Sequence, residues 1–278
     1  MRPMRLLGPW AFSLLLAAGL TAGAAPARSD DHSPSTVFVA EMTWQEVAGA
    51  MALGTRTVII PTGGIEQGGP HLVLGKHNHI VRRAAEAVAR GLGNALVAPV
   101  VVYVPEGSIN PPQGHMVFPG TISVPQTVYR AVLEATARSF RAHGFAEILL
   151  LGDSGGNQSG QSEAAENLNW EWAGRGTRVL HISDYYDPEA NGQFDWLRRN
   201  GLEAAAEAGH ADLRDTSELM AVHPNGVRGA KIDKASPGTG VYGNPRGASA
   251  VLGEKLLQLK IGAALAQVRR WRARQKSE

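Results

Sequence analysis

Short apolar runs alternate with amphipathic helical segments along most of the chain. Apolar runs of strand length occur at 57–60, 95–104, 147–151 and 177–182. Segments with apolar residues at helical spacing, or with helix-start signals, occur at 43–53, 78–92, 126–143, 157–173 and 246–274. Strands that alternate with helices predict a single-domain α/β fold, in which a mainly parallel β-sheet is covered by helices on both faces.

The first residues follow a different pattern. Arg2 and Arg5 precede an apolar run from Leu14 to Leu20 and then small residues, which is typical of a secretory signal. This apolar run is shorter than the roughly 20 residues that span a bilayer, so we expect cleavage and no membrane association afterwards. The sequence predicts a signal peptide and linker start over 1–27, a domain over 36–278, and a periplasmic or secreted protein.

Composition narrows the possible chemistry. The chain has 278 residues, of which 44% are hydrophobic and 19% charged, as expected for a folded globular protein. The absence of cysteine excludes disulfides, a cysteine nucleophile and thiolate metal sites. Removal of Arg2 and Arg5 with the signal lowers the basic count from 27 to 25 against 25 acids, so no nucleic-acid partner is expected.

Polar residues follow several of the predicted strands. In parallel α/β folds, ligands bind beyond the carboxyl ends of the strands, where the loops after the first and third strands supply carboxylates and imidazoles. Glu66 and His77 bracket the first of these loops, and Asp153 follows the third strand. Carboxylate oxygens and imidazole nitrogens are ligands that zinc and manganese accept.

One short motif favours a different chemistry. Gly152-Asp153-Ser154-Gly155-Gly156 fits the Gly-x-Ser-x-Gly turn that exposes a nucleophilic serine between a strand and a helix. The acid and the histidine of a triad would then be Asp184 or Asp187, and His210 or His223. Because no convincing apolar strand follows Ile182 to carry them, a serine hydrolase using Ser154 is kept as an alternative.

Five stretches in a fixed order carry clustered glycines, prolines, histidines and acids. They are Pro61–Leu72, His115–Ser123, Leu151–Asn157, His210–Ser217 and Val241–Ser249. Together they resemble the motifs of the creatininase family, metal-dependent amidohydrolases with a parallel α/β fold that open cyclic or linear amide bonds. The resemblance implies hydrolysis of a small-molecule amide and a homo-oligomer, with the hexamer of family members as one possibility.

The family's metal ligands carry over only in part. Glu66 matches a ligand directly. The changed positions are Gly68 and Ser154 in place of ligand histidines, His77 in place of the bridging aspartate, and Gly156 in place of a further carboxylate. Since an imidazole cannot bridge two ions as a carboxylate does, the usual two-metal centre is expected to be lost.

Two hypotheses account for these changes. In the first, Glu66, His77 and Asp153 hold a single divalent ion, zinc or manganese, Asp153 also takes part in catalysis, and His210 is the proton shuttle, as the resemblance implies for its position. The supporting residues are His71, His115, Ser154, Gly155, Gly156, Asn157 and Asp215. In the second, the chain is a metal-free ligand-binding protein on the same scaffold.

Overall fold

Four short parallel strands form the centre of the structure, a computed structural model that describes residues 36–207 and 209–275. The strands are β1 (Thr57–Thr62), β2 (Ala95–Val97), β3 (Glu147–Gly152) and β4 (Arg178–His181). Their spatial order is β2-β1-β3-β4, and Thr57 of β1 lies opposite Ala95 on one side and Glu147 on the other. The parallel sheet predicted from the sequence is confirmed.

Helices cover both faces of this sheet. They are α2 (Lys76–Leu92) and α8 (Ala250–Gln275) on one face, and α3 (Gln126–Ala142) and α4 (Gln158–Glu171) on the other. Side chains of a strand alternate between faces, so Val58 and Ile60 pack with α3 and α4 while Ile59 packs with α2 and α8. Because both faces are buried, β1 is apolar at consecutive positions.

The remaining helices are α1 (Trp44–Ala52), α5 (Ser183–Tyr186), α6 (Gln193–Arg199) and α7 (Leu213–Val222). The predicted capping box at the start of α1 is present, because the Glu46 backbone N–H donates to Thr43 Oγ1 and the Thr43 N–H donates to the Glu46 carboxylate. None of the helices within the described residues has the length and hydropathy needed to cross a membrane. The predicted signal peptide lies outside the described residues.

The structure differs from the sequence prediction at two elements near the pocket. The second strand ends at Val97 instead of continuing to Val104, and only Val101 returns to the sheet, as an isolated bridge to Thr62. Pro99 has no N–H to continue the ladder. Helix α2 begins at Lys76, two residues before the predicted start, so Lys76 is helical.

Helix α7 was not predicted. Its Asp212 N-cap accepts hydrogen bonds from the N–H groups of Arg214 and Asp215. Helix α8 crosses α7 so closely at Gly253 that a Cβ atom there would overlap the backbone carbonyl of Ser217. This crossing brings the middle of α8 against the polar residues of α7.

Candidate functional site

A cavity of about 550 Å³ lies at the carboxyl ends of β1 and β3. Nine of the residues predicted for the site line it: Glu66, His77, His115, Asp153, Ser154, Gly155, Gly156, His210 and Asp215. The cavity therefore lies where the parallel sheet was expected to place a ligand site.

Glu66 is a buried carboxylate with donors on both of its oxygens. Oε1 accepts from the ammonium group of Lys76 and from His77 Nε2 at 2.7 Å, and His115 Nε2 lies 3.2 Å from Oε2. Burial alone would raise the pKa of Glu66, but the positive charges of Lys76 and His77 hold it well below its usual range. Glu66 is therefore ionised at neutral pH.

Asp153 lies just beyond β3 and is equally buried. Its Oδ1 accepts from Lys260 Nζ at 2.6 Å and from the Tyr185 hydroxyl at 2.7 Å, while Oδ2 lies 2.8 Å from His77 Nδ1. Burial opposes ionisation, yet the Lys260 charge and the His77 hydrogen bond lower the pKa of Asp153. Asp153 is thus a second carboxylate with both oxygens occupied.

His77 joins these two carboxylates. Burial and the Lys76 charge oppose its protonation, but Glu66 and Asp153 outweigh them and raise the pKa of His77 to about 9. At neutral pH both ring nitrogens therefore carry protons, and the imidazolium donates to Glu66 and to Asp153.

Seven charged side chains of alternating sign form a connected row that begins and ends on α7, here called the charge ring. In order they are Asp215, Lys76, Glu66, His77, Asp153, Lys260 and Glu218. Lys76 Nζ lies 3.7 Å from Asp215, and Lys260 Nζ lies 3.0 Å from Glu218. Asp215 and Glu218, the two acidic ends of this row, are three residues apart in α7, on neighbouring positions of one helix face.

Gln67 sets the proton positions of two histidines beside the ring. Its amide oxygen accepts from the Gly69 N–H at 2.8 Å, so its NH₂ group faces His115 Nδ1 at 3.1 Å and that nitrogen must accept. His115 therefore carries its proton on Nε2, toward Glu66. His210 Nε2 lies 2.8 Å from the Gln67 carbonyl oxygen and must donate, which leaves His210 Nδ1 unprotonated, 3.6 Å from Glu66 Oε1.

The imidazole rings of His115 and His210 are both neutral at pH 7. Burial and the charge of Lys76 lower the pKa of His210 to about 4, and burial also lowers the pKa of His115. The bare Nδ1 of His210 is thus a proton acceptor at the edge of the cavity.

A third acid, Glu106, lies in the long loop after Val104. Burial and the nearby charge of Glu66 raise the pKa of Glu106 to about 9, so its carboxyl group is protonated at neutral pH. The Ser154 hydroxyl donates to Glu106 Oε2 at 3.3 Å. Among the described residues, no histidine is hydrogen-bonded to Ser154, and the proposed triad partner His223 stacks on His79 instead.

Two predicted supporting residues do not line the cavity. His71 is buried with Nε2 2.9 Å from the Thr216 hydroxyl, so it connects its loop to α7. The Asn157 amide donates to Thr62 and Gly63 and so connects the start of α4 to the end of β1. Gly156 has a steric role, because a Cβ atom there would overlap the Pro105 carbonyl. That contact holds two walls of the cavity together.

The comparisons with known proteins identify the family. The sequence model of the creatininase family, described as creatinine amidohydrolase, matches residues 40–268. The chain belongs to the creatininase family. The resemblance seen in the sequence motifs is thereby confirmed.

Two curated proteins are similar in sequence. The mycofactocin precursor peptide peptidase of Mycolicibacterium smegmatis is 25% identical over 261 residues, covering 82% of this chain and 94% of the relative. The creatinine amidohydrolase of Pseudomonas putida is 28% identical over 116 residues, covering 42% of this chain and 44% of the relative. Both names describe hydrolases, one of a peptide and one of a small molecule.

Solved creatininases share the fold. A creatininase structure described as the Mn form has a TM-score of 0.64 at 23% identity, with 84% of this chain and 98% of that chain covered. A mutant creatininase described as Zn-Zn type gives the same TM-score and identity, with 85% and 98% covered. Metal ions are therefore named in two of these structures.

The residues present here do not fit a two-metal centre. The family ligand positions carry Gly68, Ser154 and Gly156, which offer no strong metal ligand. Glu66, His77 and Asp153, predicted to share one ion, do lie together, but their polar atoms are bonded to one another and to lysines. Neither ring nitrogen of His77 is open to an ion.

A different set offers three possible ligands within reach of one ion. The ligand atoms of Glu66, His115 and His210 lie within 4.8 Å of one another. His210 Nδ1 is available, but His115 would have to release its Nε2 proton and lose the hydrogen bond from Gln67. Lys76 already neutralises Glu66, so an ion at this point would also meet a buried like charge.

Sequence reasoning missed the cations and part of the acid set. Lys76, Lys260, Glu218 and Glu106 are not among the residues that the sequence predicts for the site. A signal for Lys260 is present: it stands in the apolar stripe of α8, between Leu257 and Ala264, where a solvated lysine is not expected. Lys76, in a glycine-rich segment, offers no comparable signal.

Proposed function

We propose that this chain is an amidohydrolase that cleaves the C–N bond of a small linear or cyclic amide, or of a peptide end, bound in the cavity beside His210. One observation carries the proposal: His210 is a neutral imidazole whose Nε2–H is fixed by the Gln67 carbonyl, which leaves Nδ1 free to accept a proton. Membership of a family of hydrolases and the position of His210, which matches the family's proton shuttle, support it.

The first half of the reaction uses the free nitrogen of His210. A water molecule beside Nδ1 gives up a proton to it while the oxygen attacks the amide carbon, as in general base catalysis. The imidazolium that forms is stabilised by the ionised Glu66, 3.6 Å away. The low pKa of His210 means that the proton is held only briefly and can be passed on.

The second half needs an acid for the leaving nitrogen. The protonated carboxyl group of Glu106 lines the same cavity and can donate a proton to the amide nitrogen or to the carbonyl oxygen. The backbone N–H groups of Gly155 and Gly156, at the same wall, are candidates to stabilise the oxyanion. The C–N bond breaks as the nitrogen takes up the Glu106 proton, which gives an amine and a carboxylic acid. The proton held by His210 then returns to Glu106, so that both groups regain their starting states.

The test is a screen of primary amides, lactams, cyclic ureas and short peptides with amine release measured by mass spectrometry. With a substrate in hand, His210→Gln should lower kcat by about 10²–10⁴, because the variant has no imidazole nitrogen to accept the proton. His143→Gln, at the exposed end of α3, is the matched control and should leave kcat unchanged.

Other results would favour the alternatives. Binding of amides without turnover, measured by calorimetry, would favour a ligand-binding protein. Full activity of His210→Gln together with labelling of Ser154 by a fluorophosphonate would favour a serine hydrolase.

A further inference from the structure

The charge ring lies where the sequence resemblance puts the family's metal ligands. Glu66 aligns with a ligand, and His77 aligns with the carboxylate that bridges two ions. In that arrangement one anion stands between two cations. Here the signs are reversed, because one imidazolium stands between two carboxylates, 2.7 Å from Glu66 and 2.8 Å from Asp153.

We propose that the ammonium groups of Lys76 and Lys260 take over the charge-balancing role of the family's two metal ions, so that this protein is complete without a bound metal. The inference deepens the proposed function and rests on it only for its catalytic meaning, namely that amide hydrolysis here uses side-chain acids and bases. Its physical basis is the position of the two lysines.

Lys76 is placed where a lysine is unfavourable by itself. Its side chain is fully buried, and it lies in the first turn of α2, where the helix dipole repels a positive charge. Both penalties are offset by Glu66, in direct contact, and by Asp215 at 3.7 Å. The ammonium group therefore serves the carboxylate that corresponds to a family metal ligand.

Lys260 serves the other carboxylate from the opposite side. It reaches in from α8, and its Nζ lies 2.6 Å from Asp153 and 3.0 Å from Glu218. The Tyr185 ring covers it, with the centroid 4.5 Å from Nζ. Each of the two retained acids thus has its own lysine.

Every oxygen of these two acids already faces a protein donor. Glu66 Oε1 accepts from Lys76 and His77, and Oε2 faces His115; Asp153 Oδ1 accepts from Lys260 and Tyr185, and Oδ2 faces His77. A divalent ion would have to displace an ammonium or an imidazolium group and would then remain near the other positive charges. Both steps oppose binding.

The first experiment uses the unmodified sequence. Elemental mass spectrometry would measure metal in untagged protein after dialysis against zinc and against manganese, and thermal unfolding would be followed with EDTA, zinc or manganese. We expect no stoichiometric ion and the same Tm in all conditions. About one or two ions per chain, with a lower Tm in EDTA, would overturn the inference.

A pair of variants then tests the lysine itself. Lys76→Met keeps an unbranched side chain, one atom shorter, and removes its charge, and the exposed Lys231→Met is the matched control. We expect a lower Tm only for Lys76→Met, and an increase in that Tm on addition of zinc would show that a metal can replace the ammonium group. An unchanged Tm in both variants would overturn the inference, and the wild-type metal measurement decides if Lys76→Met does not fold.

Neither readout depends on turnover. The amide screen can fail to find a substrate while the metal content and the Tm agree with the lysine proposal. Equally, a substrate can be found while bound metal or an unchanged Tm overturns the lysine proposal. The two proposals therefore fail separately.

Discussion

The charge ring has two halves, one around Glu66 and one around Asp153. They differ in solvent exposure and in whether every polar atom has a partner. In the half around Glu66, Asp215 is 23% exposed, His115 is 29% exposed, and His210 keeps a nitrogen without a proton. In the half around Asp153, Lys260 and Glu218 are at most 7% exposed, and each carboxylate oxygen has a protein donor. The first half is suited to chemistry and the second to holding the fold, although both use the same types of residue.

Lys260→Met should have the largest effect, because it removes the cation from the buried half of the charge ring, around Asp153. Asp153 and Glu218 would remain buried without their cation, at a cost of about 3–5 kcal/mol in the free energy of unfolding. Urea denaturation of the variant and of Lys231→Met would measure the difference. A loss no larger than that of the exposed control would mean that this half does not stabilise the fold.

Glu106→Gln should lower the activity of the more exposed part of the site, around Glu66, without destabilising the protein. Glutamine retains the contact with Ser154 but cannot release a proton, so kcat should fall about a hundredfold while Tm is unchanged. The exposed Glu163→Gln is the matched control. Wild-type kcat should also fall as the pH rises through about 9, where Glu106 ionises. A normal kcat in Glu106→Gln would show that Glu106 is not the proton donor.

His77 gives stability a pH dependence that joins the two halves. Its pKa rises from a usual value of 6.5 to about 9 on folding, so its contribution is complete below pH 6.5 and is lost as the pH rises through about 9. The free energy of unfolding should therefore decline between pH 7 and 10. His77→Gln should flatten that decline, and an equal slope in both proteins would assign it to other groups.

Ser154→Ala should have the smallest effect. The hydroxyl makes one hydrogen bond of 3.3 Å, to Glu106, and no histidine of the described residues activates it. We expect kcat within about twofold of wild type, a difference of only a few tenths of a kcal/mol. A loss of activity as large as that of His210→Gln would revive the serine mechanism.

The sequence predicts the fold and the meeting of three site residues for a simple reason. Apolar periodicity identifies the strands and helices, and the carboxyl ends of parallel strands converge, so Glu66 and Asp153 were expected to lie close together. His77 follows because it starts the helix after the first loop. Periodicity is a local property, and it needs no knowledge of partners distant in the chain.

The ion pairs could not be predicted in the same way. Lys260 meets Asp153 across 107 positions of sequence, and that contact depends on how α8 crosses α7, which no local pattern encodes. The sequence therefore predicts Glu66 and Asp153 as metal ligands, and the structure shows each of them in contact with a lysine. The predicted export and homo-oligomer lie beyond what these contacts test and stay predictions.

Because α7 and α8 cross closely at Gly253, the contacts of the charge ring also depend on a residue with no side chain. Gly253 and Lys260 are two helical turns apart, about 10 Å along the axis and on one face of α8. A side chain at 253 would push against Ser217 and force the two helices apart, so the ammonium group would lose its reach to Asp153 and Glu218. A survey of random substitutions should therefore find position 253 as intolerant as the charged residues, since it determines the spacing on which their pairing depends.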